Sequence, residues 1–338
     1  MIKHPALSLF TIVIIFMAVT ISGCAGQKEV PQNDKTPVDK PYLKGVSLSP
    51  KSWEQADVMD FLERTKMTGE IVTWAGDWIE LSREGGTGPE FLIYGASEYD
   101  YLPVVLVNIY SGDGSLNRPL DDSVKKTYKE SIVSFAKKNK PAYIGMGIEI
   151  NTLYERSPED FDKFVSLFND SYYAIKAVSP DTKIFTVFQL EKMKGIDKSL
   201  FAGPWNASNA QWELLEKFPQ ADMIAFTTYP GLRYKDPSEI PSDYYTEIRL
   251  HTEKPIAFTE TGWFSEIDIA GWESGEQEQA EFVSAFFRLT ESVDKEFVIW
   301  SFMYDQDIEE PFKSMGLIKS SDGKEKLSWD AWVRSNDI

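Results

Sequence analysis

The feature that most constrains this chain is a rhythm: from Leu43 onward, short apolar runs alternate with amphipathic stretches of helical period. The apolar runs are Gly45–Leu48, Glu70–Trp74, Leu102–Ile109, Tyr143–Ile150, Lys183–Phe188, Met223–Thr227, Ile256–Thr261 and Phe297–Phe302. Most are continuously apolar rather than alternating, as expected of strands buried on both faces of a parallel sheet. Helical stretches are expected around Ala56–Thr65, Asp122–Lys138, from Ser157-Pro158 onward, across Glu276–Val293 and at Trp329–Val333. Serine as cap followed by proline in the first turn is a good helix start. Eight strand signals with helices between them predict a single (β/α)8 TIM barrel over residues 42–338. The rival is a doubly wound open sheet, but no Gly-x-Gly-x-x-Gly turn follows the first strand, where a dinucleotide site needs one.

The start of the chain reads differently. Lys3 precedes the apolar run Ala6 to Ile21, which ends in Ile21-Ser22-Gly23-Cys24. A basic residue, a short apolar segment and small residues before the end are the parts of a signal peptide. The ending resembles the lipobox of prokaryotic lipoproteins, which implies removal of residues 1–23 and lipidation of Cys24. Residues 24–41 are polar, with Pro31, Pro37 and Pro41 and no periodicity, the composition of a tether. The expected workplace is the cell surface or periplasm, with the membrane touched only through the lipid. A transmembrane anchor is the competing reading, for which the run is short.

Composition narrows the chemistry. With a formal net charge of −18, nucleic acid and anionic membrane surfaces are poor partners. Cys24 is the single cysteine, so an internal disulfide and a zinc–thiolate cluster are excluded. The only histidines are His4 in the leader and His251 in a charged connection, which removes Ser-His and Cys-His centres and most metal sites. Acid–base work falls to carboxylates, and no metal or organic cofactor is called for. Nothing in the chain demands a second copy, and a monomer is expected.

Two runs end on glutamates. Tyr143-Ile144-Gly145-Met146-Gly147-Ile148-Glu149 closes the fourth strand signal, and Ile256-Ala257-Phe258-Thr259-Glu260-Thr261 the seventh. In a parallel barrel the C-terminal strand ends open onto the working face. Two carboxyls there are what glycoside hydrolysis requires, one protonating the leaving oxygen while the other attacks or activates water.

With those residues in place, the chain resembles the clan A glycoside hydrolases, and within them the family 53 endo-β-1,4-galactanase-like and family 5 enzymes. The resemblance covers the order of strands across the barrel. It implies a retaining, endo-acting enzyme on β-linked polysaccharide or oligosaccharide, with Glu149 as acid/base and Glu260 as nucleophile. It also implies that Tyr229 hydrogen-bonds the nucleophile and that Trp300 floors the sugar subsite beside the cleaved bond. Trp263 is expected as a further stacking surface. The family has asparagine just before the acid/base, where this chain has Ile148. Asn151, two residues beyond Glu149 in an extended run, and Asn108, ending the third strand, are the expected substitutes for gripping the sugar 2-hydroxyl. A barrel that binds carbohydrate without turning it over stays open as the alternative, and a metal-dependent barrel enzyme is set aside for want of ligands.

Overall fold

The computed structural model describes residues 42–82, 88–111, 114–196, 206–267 and 269–335. The leader, Cys24 and the tether lie outside them.

Among the described residues nine parallel strands form one sheet: β1 (Leu43–Ser47), β2 (Ile71–Asp77), β3 (Leu102–Asn108), β4 (Tyr143–Met146), β5 (Lys183–Phe185), β6 (Val187–Gln189), β7 (Ile224–Thr228), β8 (Ile256–Thr261) and β9 (Lys295–Trp300). Their order is β5-β4-β3-β2-β1-β9-β8-β7-β6. The ends of that list, β5 and β6, are halves of one run interrupted at Thr186. The first half pairs with β4 and the second with β7. The ring therefore closes through residues 183–189, giving eight staves as the rhythm predicts, the (β/α)8 barrel.

Strand alternation divides the core in two. Leu43, Ile71, Val104, Leu106, Tyr143, Phe185, Val187, Ala225, Ala257, Phe297 and Ile299 fill the barrel interior. Their neighbours Val46, Val72, Val105, Ile144, Phe226, Phe258 and Trp300 face the helices outside. Both faces of every stave are therefore dry, which is why the strand sequences carry no polar alternation.

The helices are α1 (Gln55–Thr68), α2 (Pro89–Tyr99), α3 (Asp122–Asn139), α4 (Ile150–Arg156), α5 (Pro158–Val178), α6 (Leu190–Met193), α7 (Glu276–Leu289) and α8 (Leu327–Arg334). The helix start expected at Ser157-Pro158 is present, with the Ser157 side chain accepting from the Asp160 N–H. Two crossovers depart from the expected pattern. Among the described residues, β6 is followed by the single turn α6 and short 3-10 turns, and β7 by 3-10 turns alone. Prolines 219, 230, 237 and 241 punctuate these stretches and remove N–H donors a longer helix would need.

At the N-terminal mouth the Tyr143 hydroxyl on β4 reaches the Glu296 carboxylate on β9, four staves around the ring, and Lys183 pairs with the same carboxylate. That end is tied shut by side chains, so the concave working surface is left to the C-terminal end.

Candidate active site

Glu149 and Glu260 reach the C-terminal face by two different local devices. Strand β4 ends at Met146 and the chain turns through Gly147-Ile148-Glu149 into α4. Gly147 and Glu149 both take left-handed backbone, with φ of 79° and 52°. Glycine does so freely, whereas a glutamate there costs on the order of 1–3 kcal/mol and is retained only where its surroundings enforce it. The surroundings are visible. The Gly147 N–H bonds the Val107 carbonyl at 2.8 Å, the Gly147 carbonyl accepts from the Val187 N–H at 3.1 Å, and the Tyr110 hydroxyl bonds the Ile148 carbonyl. The loop is thus held by the third stave on one side and the fifth on the other.

A Cβ on Gly147 would sit 2.8 Å from the Phe164 ring besides straining the backbone. Gly147→Ala is therefore expected to cost about 2 kcal/mol of stability and to displace Glu149. Urea unfolding reads the first effect, and the activity assay described below reads the second.

Glu260 depends on a register slip. Ala257 faces the barrel interior and Phe258 the helices, so strict alternation would send Glu260 outward with Phe258. Instead Phe226 pairs with Phe258 while the next residue, Thr227, pairs with Glu260. One residue is absorbed as a β-bulge, and the same slip appears against β9 between Phe258 and Thr261. The bulge re-aims Glu260 to the face shared by Thr227, the inward one. Bulges beside active sites commonly do this.

The two carboxyls meet around β7. The Thr227 hydroxyl, from the residue paired with Glu260, donates to Glu149 Oε1 at 2.7 Å. The Tyr229 hydroxyl, two residues on, donates to Glu260 Oε2 at 2.5 Å and lies 3.1 Å from Ser301 Oγ. Burial, followed by the negative charge of Glu260, pushes the Glu149 carboxyl up to about 7, against the Thr227 bond and the Lys192 charge that pull it down. Glu260 is also raised by burial, with the Tyr229 bond opposing. The result is one carboxyl able to hold a proton near neutrality beside another stabilised as an anion by a phenol, the division of labour that acid–nucleophile pairs need.

Tyr229 therefore stands where the sequence reading put it, on Glu260. Other expected contacts stand elsewhere. Asn151 was expected to share the face of Glu149 through continued extension, but the chain has turned into α4. Its side chain is fully buried, donating to the Gln189 carbonyl at 3.0 Å and to Gln211 Oε1 at 3.1 Å and accepting from the Gln189 N–H at 2.9 Å. It staples α4 to β6. Trp300 is one residue out of phase. Ile299 faces inward, so Trp300 faces the helices, packed at a tilt against Phe282 and Trp332 with its indole N–H on the Met315 carbonyl. Trp263 also turns outward, stacked on Phe282 at 5.2 Å with its indole N–H on Ser274. Neither ring presents a face to a ligand. Asn108 is on the inward face above Leu106, yet its amide is spent locally, donating to the Tyr110 carbonyl and accepting from the Ile109 N–H.

Three site residues escaped sequence reading: Tyr110, Thr227 and Ser301. Thr227 and Ser301 could have been found by counting in twos, from Tyr229 back along β7 and from Ile299 forward along β9. Tyr110 carries no such signal, because it follows the end of β3 and its reach to Ile148 depends on loop conformation.

No protein-family model matches this sequence, and no curated protein matches it. Solved structures do. The chain is similar to a family 39 glycoside hydrolase from the gut symbiont Bacteroides cellulosilyticus (TM-score 0.59, 16% identity, 86% of this chain and 62% of that one). It is similar to xylanase 10B from Thermotoga maritima (0.61, 12%, 88% and 96%). It is also similar to an exo-β-1,4-mannosidase from an Opitutaceae bacterium (0.61, 15%, 86% and 58%). The chain thus spans less than two thirds of the first and third and nearly the whole of the xylanase domain. At such identities the likeness is one of fold: this chain folds as the barrels of these glycoside hydrolases do.

Proposed function

We propose that the protein is a retaining glycoside hydrolase acting on β-linked polysaccharide or oligosaccharide. The observation that carries this reading is the pairing of Glu149 and Glu260 across Thr227, one poised to hold a proton and the other clamped by Tyr229. In the first step Glu260 attacks the anomeric carbon while Glu149 gives its proton to the departing oxygen. In the second, Glu149 takes a proton from water, which attacks the same carbon and frees Glu260. The family 53-like and endo-acting aspects rest on the sequence resemblance, and the solved structures that share the fold include enzymes named for xylan and for exo-cleavage of mannosides. Lipidation at Cys24 would hold the enzyme at the outer surface of a membrane, within reach of polymers that cannot enter the cell.

A carbohydrate-binding barrel without turnover is the second reading. Ile148 stands where the clan has asparagine, and the amides of Asn108 and Asn151 are committed to backbone partners. Reducing-sugar release from a panel of β-linked polysaccharides, beside Glu149→Gln and Glu260→Gln controls, separates the two. Release that both substitutions abolish supports the enzyme, whereas saturable binding without release supports the binder.

Tyr229→Phe tests the clamp. A hydrogen bond to a charged group is worth about 1.5–3 kcal/mol, so kcat should fall by roughly 10- to 100-fold. The Tyr229 donor favours ionised Glu260, so its loss should also move the acid limb of the pH–rate profile upward.

A further inference from the structure

We infer that Glu191 is a positioning residue for the reaction: its buried carboxylate fixes the end of β7 so that the Tyr229 hydroxyl meets Glu260. The inference rests on the glycosidase reading and deepens it. Glu191 is the second residue of α6, just beyond the β6 stave, and is 3% exposed. One oxygen, Oε1, accepts from three donors: the Thr228 hydroxyl at 2.8 Å, the Tyr229 N–H at 3.0 Å and the Tyr244 hydroxyl at 2.9 Å. Its other oxygen is buried without a hydrogen-bond partner.

A carboxylate is an expensive way to satisfy a threonine, an amide and a phenol in a dry core. Neutral acceptors would do so without the desolvation of a charge. The arrangement is explained by what lies on either side. Toward the site, the two residues it grips are Thr228 and Tyr229, which follow the Glu149 partner Thr227 and include the Glu260 partner itself. Away from the site, Tyr244 packs edge-on to Tyr234 and Tyr245, a rigid aromatic wall behind the carboxylate. Three donors converging on one oxygen fix the backbone of β7 in position and along its axis. Misplacing a reacting group by about 1 Å can cost on the order of 10²-fold in rate.

The same carboxylate also acts at a distance. The ionisable groups around Glu149 are Glu260 on β8, Lys192 and Glu191 on α6 and Tyr110 beyond β3. Lys192 is held by Thr152 and Glu155. Around Glu191 stand Tyr229, Tyr234, Tyr244 and Tyr245, all raised by burial and therefore neutral donors or neighbours at working pH. Burial raises Glu191 itself, while its three donors favour the ionised form. As an anion it adds to Glu260 in holding the proton on Glu149.

The test uses Glu191→Gln and Tyr244→Phe, each checked by thermal melting against the wild type. It reads kcat and KM on whichever substrate the wild type cleaves, and the carboxyl titrations of Glu149, Glu191 and Glu260 by 13C NMR, with Glu149→Gln and Glu260→Gln assigning two of the three and the remaining buried carboxyl assigned to Glu191. Glu191→Gln is expected to lower kcat by about tenfold with KM nearly unchanged, and to move the Glu149 titration downward in pH. Tyr244→Phe, which withdraws one donor and leaves the β7 backbone intact, should raise the titration of Glu191 itself and lower kcat by about two- to fivefold. A Glu191→Gln protein that melts like the wild type with unchanged kcat and unchanged titrations overturns the inference. Should that variant not fold, an unchanged Glu191 titration and kcat in Tyr244→Phe overturns it equally. The titrations need no turnover, so a wild type that releases no sugar would sink the glycosidase reading while leaving the Glu191 contacts to be decided by NMR.

Discussion

Glu260→Ala is expected to reduce sugar release by roughly 10⁴-fold or more while leaving the fold intact. On the proposed mechanism Glu260 is the residue of β8 that supplies a carboxylate for attack on the anomeric carbon, with Thr259 and Thr261 flanking it. Removing the side chain leaves space beneath the sugar, bounded by the Tyr229 and Ser301 hydroxyls. A small anion such as azide should fit there and attack from the face Glu260 used. On an aryl glycoside with a good leaving group, azide should then restore turnover and yield a glycosyl azide of inverted configuration. The parent enzyme, by contrast, should release its first product with the anomeric configuration retained, as NMR of the fresh product would read. Retention requires the two carboxyls to lie about 5–5.5 Å apart, while inversion requires about 6.5–9.5 Å. An inverted product from the wild type would reassign Glu260 as a base that activates water.

How much of this could be read from residues alone depends on which physical rule governs each position. The barrel was legible because burial on both faces forces long apolar runs, and the runs are punctuated by helical stretches of the right length. Glu149 and Glu260 could be singled out as candidates because an ionisable group ending such a run has little structural reason to be there. Their orientation was not. Counting in twos from Phe258 points Glu260 at the helices, and only the bulge, which no local residue pattern announces, turns it inward. Trp300 shows the opposite case: counting in twos from Ile299 turns it outward, and the family resemblance misled by one position. Asn151 failed because the strand ends at Met146, four residues before its apolar run does, and the chain turns through left-handed Gly147 and Glu149 into α4. The short turns that replace long crossover helices among the described residues had a signal in the prolines between Phe218 and Ser242.

Glu149→Gln carries the second large effect, and its signature lies in pH. Loss of the general acid should cost about 10²–10⁴-fold on substrates with poor leaving groups and far less on activated aryl glycosides, which depart without a proton. In the wild type Glu149 works only while protonated in the first step, and it is raised to about 7. Activity should therefore fall as pH rises through about 7, and that limb should vanish in Glu149→Gln. Stability should move with the same titration. A carboxyl at about 7 in the folded protein and near its ordinary value of 4.5 when unfolded binds its proton more tightly when folded. The wild type consequently loses stability as pH rises from about 4.5 to about 7, and stays at the lower level above that. Discounted because the side chain keeps some contact with solvent, the loss is about 2 kcal/mol. Glu149→Gln has no proton to lose at that position. It should match the wild type near pH 4 and exceed it by about that amount at pH 8, measured by urea unfolding at both. A gain in stability where activity is lost is expected if Glu149 is an acid held strained and partly desolvated for its proton. A variant equally destabilised at both pH values would mean that Glu149 is a structural residue, and the acid would have to be sought elsewhere on the face.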